Sequence, residues 1–183
     1  AGAWSPDGQT LALSVTDDES SDIVLLDAVT GEERGRLTSD PAVDTSPSWS
    51  PDGRRIAFVS DRTGSPQIWL HDLDEERSQR LTQGGYMASP AWSPLGDTLV
   101  YTQLVAGEAI LIRHDLDTGR IERLTQPGAS AESPTLSPDG RYVVFVRKTA
   151  EHPAALWRLP VRGGASTLLA HHAWPLYAPD WQP

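Results

Sequence analysis

The segment Trp4-Ser5-Pro6-Asp7-Gly8 recurs along the chain, and no other feature constrains the fold as tightly. Its copies are Trp49-Ser50-Pro51-Asp52-Gly53, Trp92-Ser93-Pro94-Leu95-Gly96 and Leu136-Ser137-Pro138-Asp139-Gly140, at spacings of 45, 43 and 44 residues. A fifth, incomplete copy closes the chain, where Ala178-Pro179-Asp180-Trp181-Gln182-Pro183 matches Ser46-Pro47-Ser48-Trp49-Ser50-Pro51. A period of this length means that one supersecondary unit is stacked several times, each copy burying the face its neighbour exposes.

The unit is made of strands. After each turn segment comes a short apolar run, as in Leu11-Ala12-Leu13, Ile56-Ala57-Phe58-Val59, Leu99-Val100-Tyr101 and Val143-Val144-Phe145-Val146. A second run follows, as in Ile23-Val24-Leu25-Leu26, Ile68-Trp69-Leu70, Ile110-Leu111-Ile112 and Leu156-Trp157-Arg158-Leu159. Three units end on an Arg-Leu-Thr signal, at Arg36-Leu37-Thr38, Arg80-Leu81-Thr82 and Arg123-Leu124-Thr125. The runs are rich in β-branched and aromatic residues and are bounded by Gly, Pro, Asp and Ser, with no helical period. In Ser-Pro-Asp-Gly, serine opens a type I turn, proline presets φ, and glycine takes the left-handed slot. That is a hairpin between first and second strands. Asp27-Ala28-Val29-Thr30-Gly31 and Asp115-Leu116-Asp117-Thr118-Gly119 read as hairpins between third and fourth strands.

Four strands per repeat make a propeller blade. The predicted fold is all-β: a β-propeller segment of four tandem four-stranded antiparallel blades, at about 1–45, 46–88, 89–132 and 133–177. The framework positions are Trp4, Pro6 and Gly8, then Trp49, Pro51 and Gly53, then Trp92, Pro94 and Gly96, then Pro138 and Gly140, with Trp181 in the last copy. The tryptophans are expected where blades meet, and Leu136, which replaces one, is expected to mark the weaker junction. Burying an indole removes about 150–250 Å² from water, which at about 25 cal/mol per Å² is at most ~4–6 kcal/mol.

The stretch from Ser46 to Arg62, continuing through Ile68-Trp69-Leu70 and Asp72 to Arg80-Leu81-Thr82, resembles the repeat of TolB-like propellers. The resemblance covers nearly the whole chain. It departs at Leu95 in the third copy, and at Leu136 and after Arg147 in the fourth. It implies that the first strand of each blade lines a central channel. It also implies that residues 178–183 are a closing strand, and that the chain is part of a larger, six- to eight-bladed propeller. A non-catalytic protein-interaction scaffold in the bacterial periplasm or cell envelope is the function it implies. The alternatives are a gate or sensor attached to a peptidase, kinase or transcriptional-regulator domain, in a cytoplasmic setting as well, and a calcium-dependent channel enzyme. Open sheet edges add self-association as a further mode of partnering.

Composition narrows the partners. The net charge of −10, with 15 basic against 25 acidic residues, argues against a nucleic-acid binder, which needs a basic footprint. No apolar run approaches the ~18 residues of a membrane helix, so no membrane insertion is expected. With no cysteine, disulfides, thiolate metal sites and cysteine nucleophiles are excluded. No nucleophile elbow, zincin motif or phosphate-cradling glycine loop occurs, and no catalytic, cofactor-binding or metal-ligating residue is assigned.

The remaining polar clusters have structural readings. Asp17-Asp18-Glu19 with Asp22 could hold calcium but reads as a solvated loop. His171 and His172 are adjacent on a strand and so point to opposite faces. His71 and His114 each precede a repeat aspartate and are expected to make imidazole–carboxylate contacts. The loop after the second strand varies between copies while the framework repeats: Val15-Thr16-Asp17, Ser60-Asp61-Arg62, Gln103-Leu104-Val105 and Arg147-Lys148-Thr149. Variable loops on a rigid scaffold are where a partner, a protein or peptide, would be recognised. Asp61, Arg62, Arg147 and Lys148 are the expected contact residues.

Overall fold

The computed structural model describes residues 2–17, 20–128, 130–149, 154–171 and 179. Sixteen strands form four antiparallel four-stranded sheets, with no helix among the described residues. The first sheet holds β1 (Gly2–Trp4), β2 (Thr10–Thr16), β3 (Ser21–Asp27) and β4 (Glu33–Arg36). The second holds β5 (Asp44–Trp49), β6 (Arg55–Ser60), β7 (Gln67–Asp72) and β8 (Arg77–Arg80). The third holds β9 (Tyr86–Trp92), β10 (Thr98–Val105), β11 (Glu108–Asp115) and β12 (Ile121–Arg123). The fourth holds β13 (Ala131–Leu136), β14 (Tyr142–Arg147), β15 (Ala155–Pro160) and β16 (Thr167–His171). Each sheet is a meander in chain order, which is the blade of a β-propeller. The predicted closing strand with Trp181 lies outside the described residues.

The turn motif works through its serine. Ser5 Oγ donates to Asp7 Oδ1 at 2.6 Å and accepts the Thr10 N–H at 2.9 Å. Ser50 repeats this with Asp52 (2.5 Å) and the Arg55 N–H, and Ser137 with Asp139 (2.6 Å) and the Tyr142 N–H. The third copy has Leu95 where the others have aspartate. There Asp97 supplies the carboxylate from two positions further on, taking the Ser93 hydroxyl at 2.6 Å. Gly8, Gly53, Gly96 and Gly140 all sit at φ between 68 and 74°, the left-handed slot the turn requires.

The Arg-Leu-Thr signal has an equally local cause. Thr38 Oγ1 accepts the Ile23 N–H, Thr82 Oγ1 the Ile68 N–H and Thr125 Oγ1 the Leu111 N–H, each at 2.9 Å. The hydroxyl extends strand pairing by one bond where the outer strand has ended. The third-strand aspartates cap the next turn. Asp27 accepts from Val29 and Thr30, Asp72 from Asp74 and Glu75, and Asp115 from Thr118.

The inner strands differ from expectation. The Ser-Pro step lies within each inner strand, so β5, β9 and β13 start at Asp44, Tyr86 and Ala131, ahead of boundaries drawn at 46, 89 and 133. Ser46, Ser89 and Ser133 have φ of 53, 50 and 51°, and the registers of β5 and β13 shift across these points. All three are non-glycine residues in left-handed conformation just before proline, where local strain is stored, and those of β5 and β13 sit in β-bulges.

The chain divides into two compact units, residues 1–90 and 91–183. In the first, Ala12 and Ile23 meet Ile56 and Phe58 in a buried cluster flanked by Trp49 and Trp69. In the second, Val100, Leu111 and Leu124 meet Ala131, Leu136, Val143, Phe145 and Leu159. The indoles do not play one uniform part. Trp92 is 8% exposed and Trp4 61%, while Trp49 is half-buried and donates Nε1–H to Ala3 O at 3.2 Å. Leu136 is 7% exposed inside the eight-residue cluster, so it fills its junction with aliphatic contacts rather than leaving a gap.

Candidate functional site

Alternating strand direction gives each blade two ends. One end carries the Ser-Pro turns and the third-to-fourth-strand turns, whose sequences and hydrogen bonds recur in at least three of the four copies. The other carries the loops between second and third strands and the connections from one blade to the next. This second end holds the variable segments, and it is the candidate interaction site.

The structure places all four expected contact residues there, and each is engaged by its own blade or by the connection leading into it. Asp61 Oδ1 accepts the Val43 N–H at 2.9 Å, tying the loop to the start of the inner strand. Arg62 donates from Nη2 to Asp44 Oδ2 at 2.8 Å and from Nε to Ser60 Oγ at 2.8 Å, and Nη1 pairs with Asp40 at 2.9 Å. Its guanidinium lies 4.8 Å from the Trp69 ring centroid and 5.5 Å from that of Phe58. Arg147 repeats the stacking at 5.1 Å over Trp157 and donates to Ser166 Oγ at 3.0 Å. Lys148 pairs with Glu132 at 2.9 Å. The two arginines therefore cover the indoles of the second and fourth blades, whose Nε1–H groups are buried without a hydrogen-bond partner among the described residues. Opposed pairs Phe58–Trp69 and Phe145–Trp157 in the strand register set this geometry.

Apolar side chains stand exposed at the same end. In the first unit Val15 is 44%, Val43 49% and Tyr86 48% exposed. Val43 forms an isolated parallel bridge with Ser21, so it is held in place rather than carried on a free loop. In the second unit Leu104, near the end of β10, is 42% exposed. Sequence reading misses these residues because an apolar residue at a strand end carries the same pattern as one in the core.

The histidines correct a second expectation. His71 Nδ1 bonds Ser78 Oγ at 2.9 Å rather than a carboxylate, and Asp72 faces the other way to cap its turn. His114 packs edge-on to Tyr101 with centroids 6.3 Å apart, and its Nδ1 has no partner among the described residues. Neighbours on a strand point to opposite faces, so the His-Asp dipeptide cannot close on itself. Burial pushes both imidazoles down and raises the Tyr101 phenol to about 12. Asp18, Glu19 and His172 lie outside the described residues. Among the described ones, no three His, Asp or Glu side chains converge as a metal site would need.

Four blades, a shared serine–carboxylate turn and loops that vary most at one end describe a particular kind of repeat. Residues 1–183 match the TolB β-propeller domain. The chain belongs to that family. It is 46% identical over 54 residues to the Tol-Pal system protein TolB of Bordetella pertussis, across 30% of this chain and 12% of that protein. It is 40% identical over 83 residues to an uncharacterized protein of Agrobacterium fabrum, across 45% of this chain and 28% of that one. Among solved structures, TolB from Acinetobacter baumannii superposes with a TM-score of 0.83 at 26% identity, covering 95% of this chain and 44% of that one. A puromycin-hydrolyzing peptidase from Mycobacterium tuberculosis shares the fold alone, with a TM-score of 0.74 at 19% identity. This TolB-type chain thus spans less than half of each of these proteins.

Proposed function

We propose that the chain is a non-catalytic protein-interaction module of the TolB-type propeller, working in the bacterial cell envelope. The observation that carries the reading is the contrast between the two blade ends. One repeats its hydrogen bonds from copy to copy. The other varies its loops and exposes Val15, Val43 and Tyr86 on a backbone fixed by Asp61 and Arg62. Large side chains on a preorganised frame bind at low entropic cost. Arg62 and Arg147 hold the loops in shape, and Asp61 and Lys148 stand at the rim of the contact. Membership of a family that includes a Tol-Pal system protein supports a protein partner and an envelope setting.

The exposed Trp4 extends the reading. Trp49 donates its indole N–H to the inner strand of the preceding blade. Trp4 holds the equivalent position and offers the same donor to the sheet edge of a second copy. A gate attached to a peptidase shares only the fold with this reading.

Site-specific photocrosslinking in cells tests the proposal. A crosslinker at Val43 or Tyr86 should capture a defined envelope protein. One at Val29, which is 86% exposed on the opposite blade end, should not. Equal capture at Val29, or none at Val43 and Tyr86, refutes it.

A further inference from the structure

The repeat framework breaks at two turns of the second unit, and both breaks line one cavity. Leu95 takes the turn position held by Asp7, Asp52 and Asp139 in the other copies, and its side chain is 83% exposed. Pro160 takes the position of the capping aspartates Asp27, Asp72 and Asp115, and the turn continues through Val161 and Arg162. Together with the turn of the fourth blade, these segments enclose about 490 Å³. That is within the ~300–1,000 Å³ of small-ligand sites. No motif reading joins the two positions, which lie in different blades.

The cavity has an apolar side, formed by Pro94, Leu95, Pro160 and Val161, and a cationic side. Arg113 is clamped by Glu122 at 2.9 Å and Asp115 at 3.2 Å, and its Nε is buried without a partner among the described residues. Arg141 is held by Asp139 at 2.6 Å. Asp97 is occupied by the Ser93 hydroxyl. Arg162 is exposed and has no ion pair or hydrogen bond among the described residues. Of the three guanidinium groups that line the cavity, Arg113 and Arg141 are thus paired with carboxylates of their own blades, and Arg162 is left to meet an anion. Both breaks push in one direction, replacing an aspartate by an apolar residue.

We infer that this cavity binds an acidic peptide segment of a protein partner, with a carboxylate on Arg162 and an adjoining aliphatic side chain over Leu95. The inference rests on the reading of the chain as a protein-binding module, which is why the occupant is a peptide. Charge-assisted bonds from an arginine to a carboxylate are the strong class of hydrogen bond. The neighbouring apolar wall supplies the area that a bare anion would not use.

The test is an NMR titration of the full 183-residue chain with the capped tripeptide acetyl-Leu-Glu-Leu-amide. Leu95, Arg141 and Val161 amides and the Arg162 Nε–H should shift together and saturate. The Gln analogue and acetate alone should bind at least ~10-fold more weakly. Arg162→Glu should weaken binding by a similar factor. Leu95→Asp should do so with the fold intact, because it restores the residue found in the other three turns. Equal binding of the Gln peptide, or saturable shifts elsewhere, or no saturable shift, overturns the inference. If a partner crosslinked through Val43 still binds the Arg162→Glu protein with parent affinity, the cavity is refuted and the interaction module stands.

Discussion

Replacing Arg62 by methionine separates a structural role from a binding role. The Asp44 side chain is fully buried, its Oδ2 is neutralised by Arg62 at 2.8 Å, and its Oδ1 has no partner among the described residues. Without the guanidinium a carboxylate is left buried and uncompensated, which costs about 3–5 kcal/mol. Stacking on Trp69 and Phe58 adds about 0.5–2 kcal/mol, part of which the methionine side chain retains. The pair with Asp40, whose side chain is 52% exposed, adds at most about 1 kcal/mol. The expected loss is therefore about 4 kcal/mol, against a total of about 5–15 kcal/mol for a domain.

Urea denaturation followed by tryptophan fluorescence and circular dichroism should show a lower midpoint with an unchanged slope. The double variant Asp44→Leu/Arg62→Met should recover to within about 1 kcal/mol of the parent, because buried ion pairs are replaceable by apolar pairs. A single variant within about 0.5 kcal/mol of the parent would refute the buried-charge argument. Reduced partner binding without a stability loss would return Arg62 to the contact role that sequence alone suggests.

Three further outcomes are expected. Ser46→Gly and Ser133→Gly should each stabilise by about 1 kcal/mol, since strain of about 1–3 kcal/mol at φ of 53 and 51° is relieved against a glycine entropy cost of about 0.5–1 kcal/mol; a lower urea midpoint would contradict this. Asp97→Ala should cost about 1–2 kcal/mol by freeing the buried Ser93 hydroxyl, and Leu95→Asp in the same chain should recover most of it; failure of the rescue in thermal melts would show that the two carboxylate positions are not equivalent. His71 and His114 have folded-state pKa values pushed down by burial, so their contribution is fully present above the unfolded value of about 6.5 and is lost as pH falls through the folded values. Melting temperature should fall as pH is lowered from about 7 to about 5, and His114→Phe should flatten that slope.

What can be read from the sequence follows the range of each interaction. The turns and caps are legible because Ser5 reaches only to Asp7 and Thr10, and Asp27 only to Val29 and Thr30, all within one short segment. The four-stranded blade follows from those turns and the apolar runs between them. Arg62 reads as a contact residue because its partner Asp44 lies 18 positions away across a strand pair, which spacing does not reveal. The Ser-Pro bulges read as boundaries because proline in a strand signals an ending, while on an inner edge strand at a bulge it is tolerated. For His71 and His114, adjacency in sequence suggests carboxylate partners that strand alternation forbids.

Repetition also supplies an internal control that a single-copy fold lacks. Four sheets of the same design meet the same demands for capped turns and paired backbone, so a shared residue can be traced to a bond that every copy needs. Where one copy departs, the fold must find another way to satisfy the group left behind. Asp97 does so for Ser93 in the third blade. In the fourth blade, Pro160 accepts the Gly163 N–H at 2.9 Å and closes a different turn with no aspartate cap. A departure that keeps its turn closed while exposing Leu95 and Arg162 does not follow from the needs of folding. Its cause lies outside the blade, in what that face of the sheet meets, and this is why two such departures lining one cavity carry more weight than either would alone.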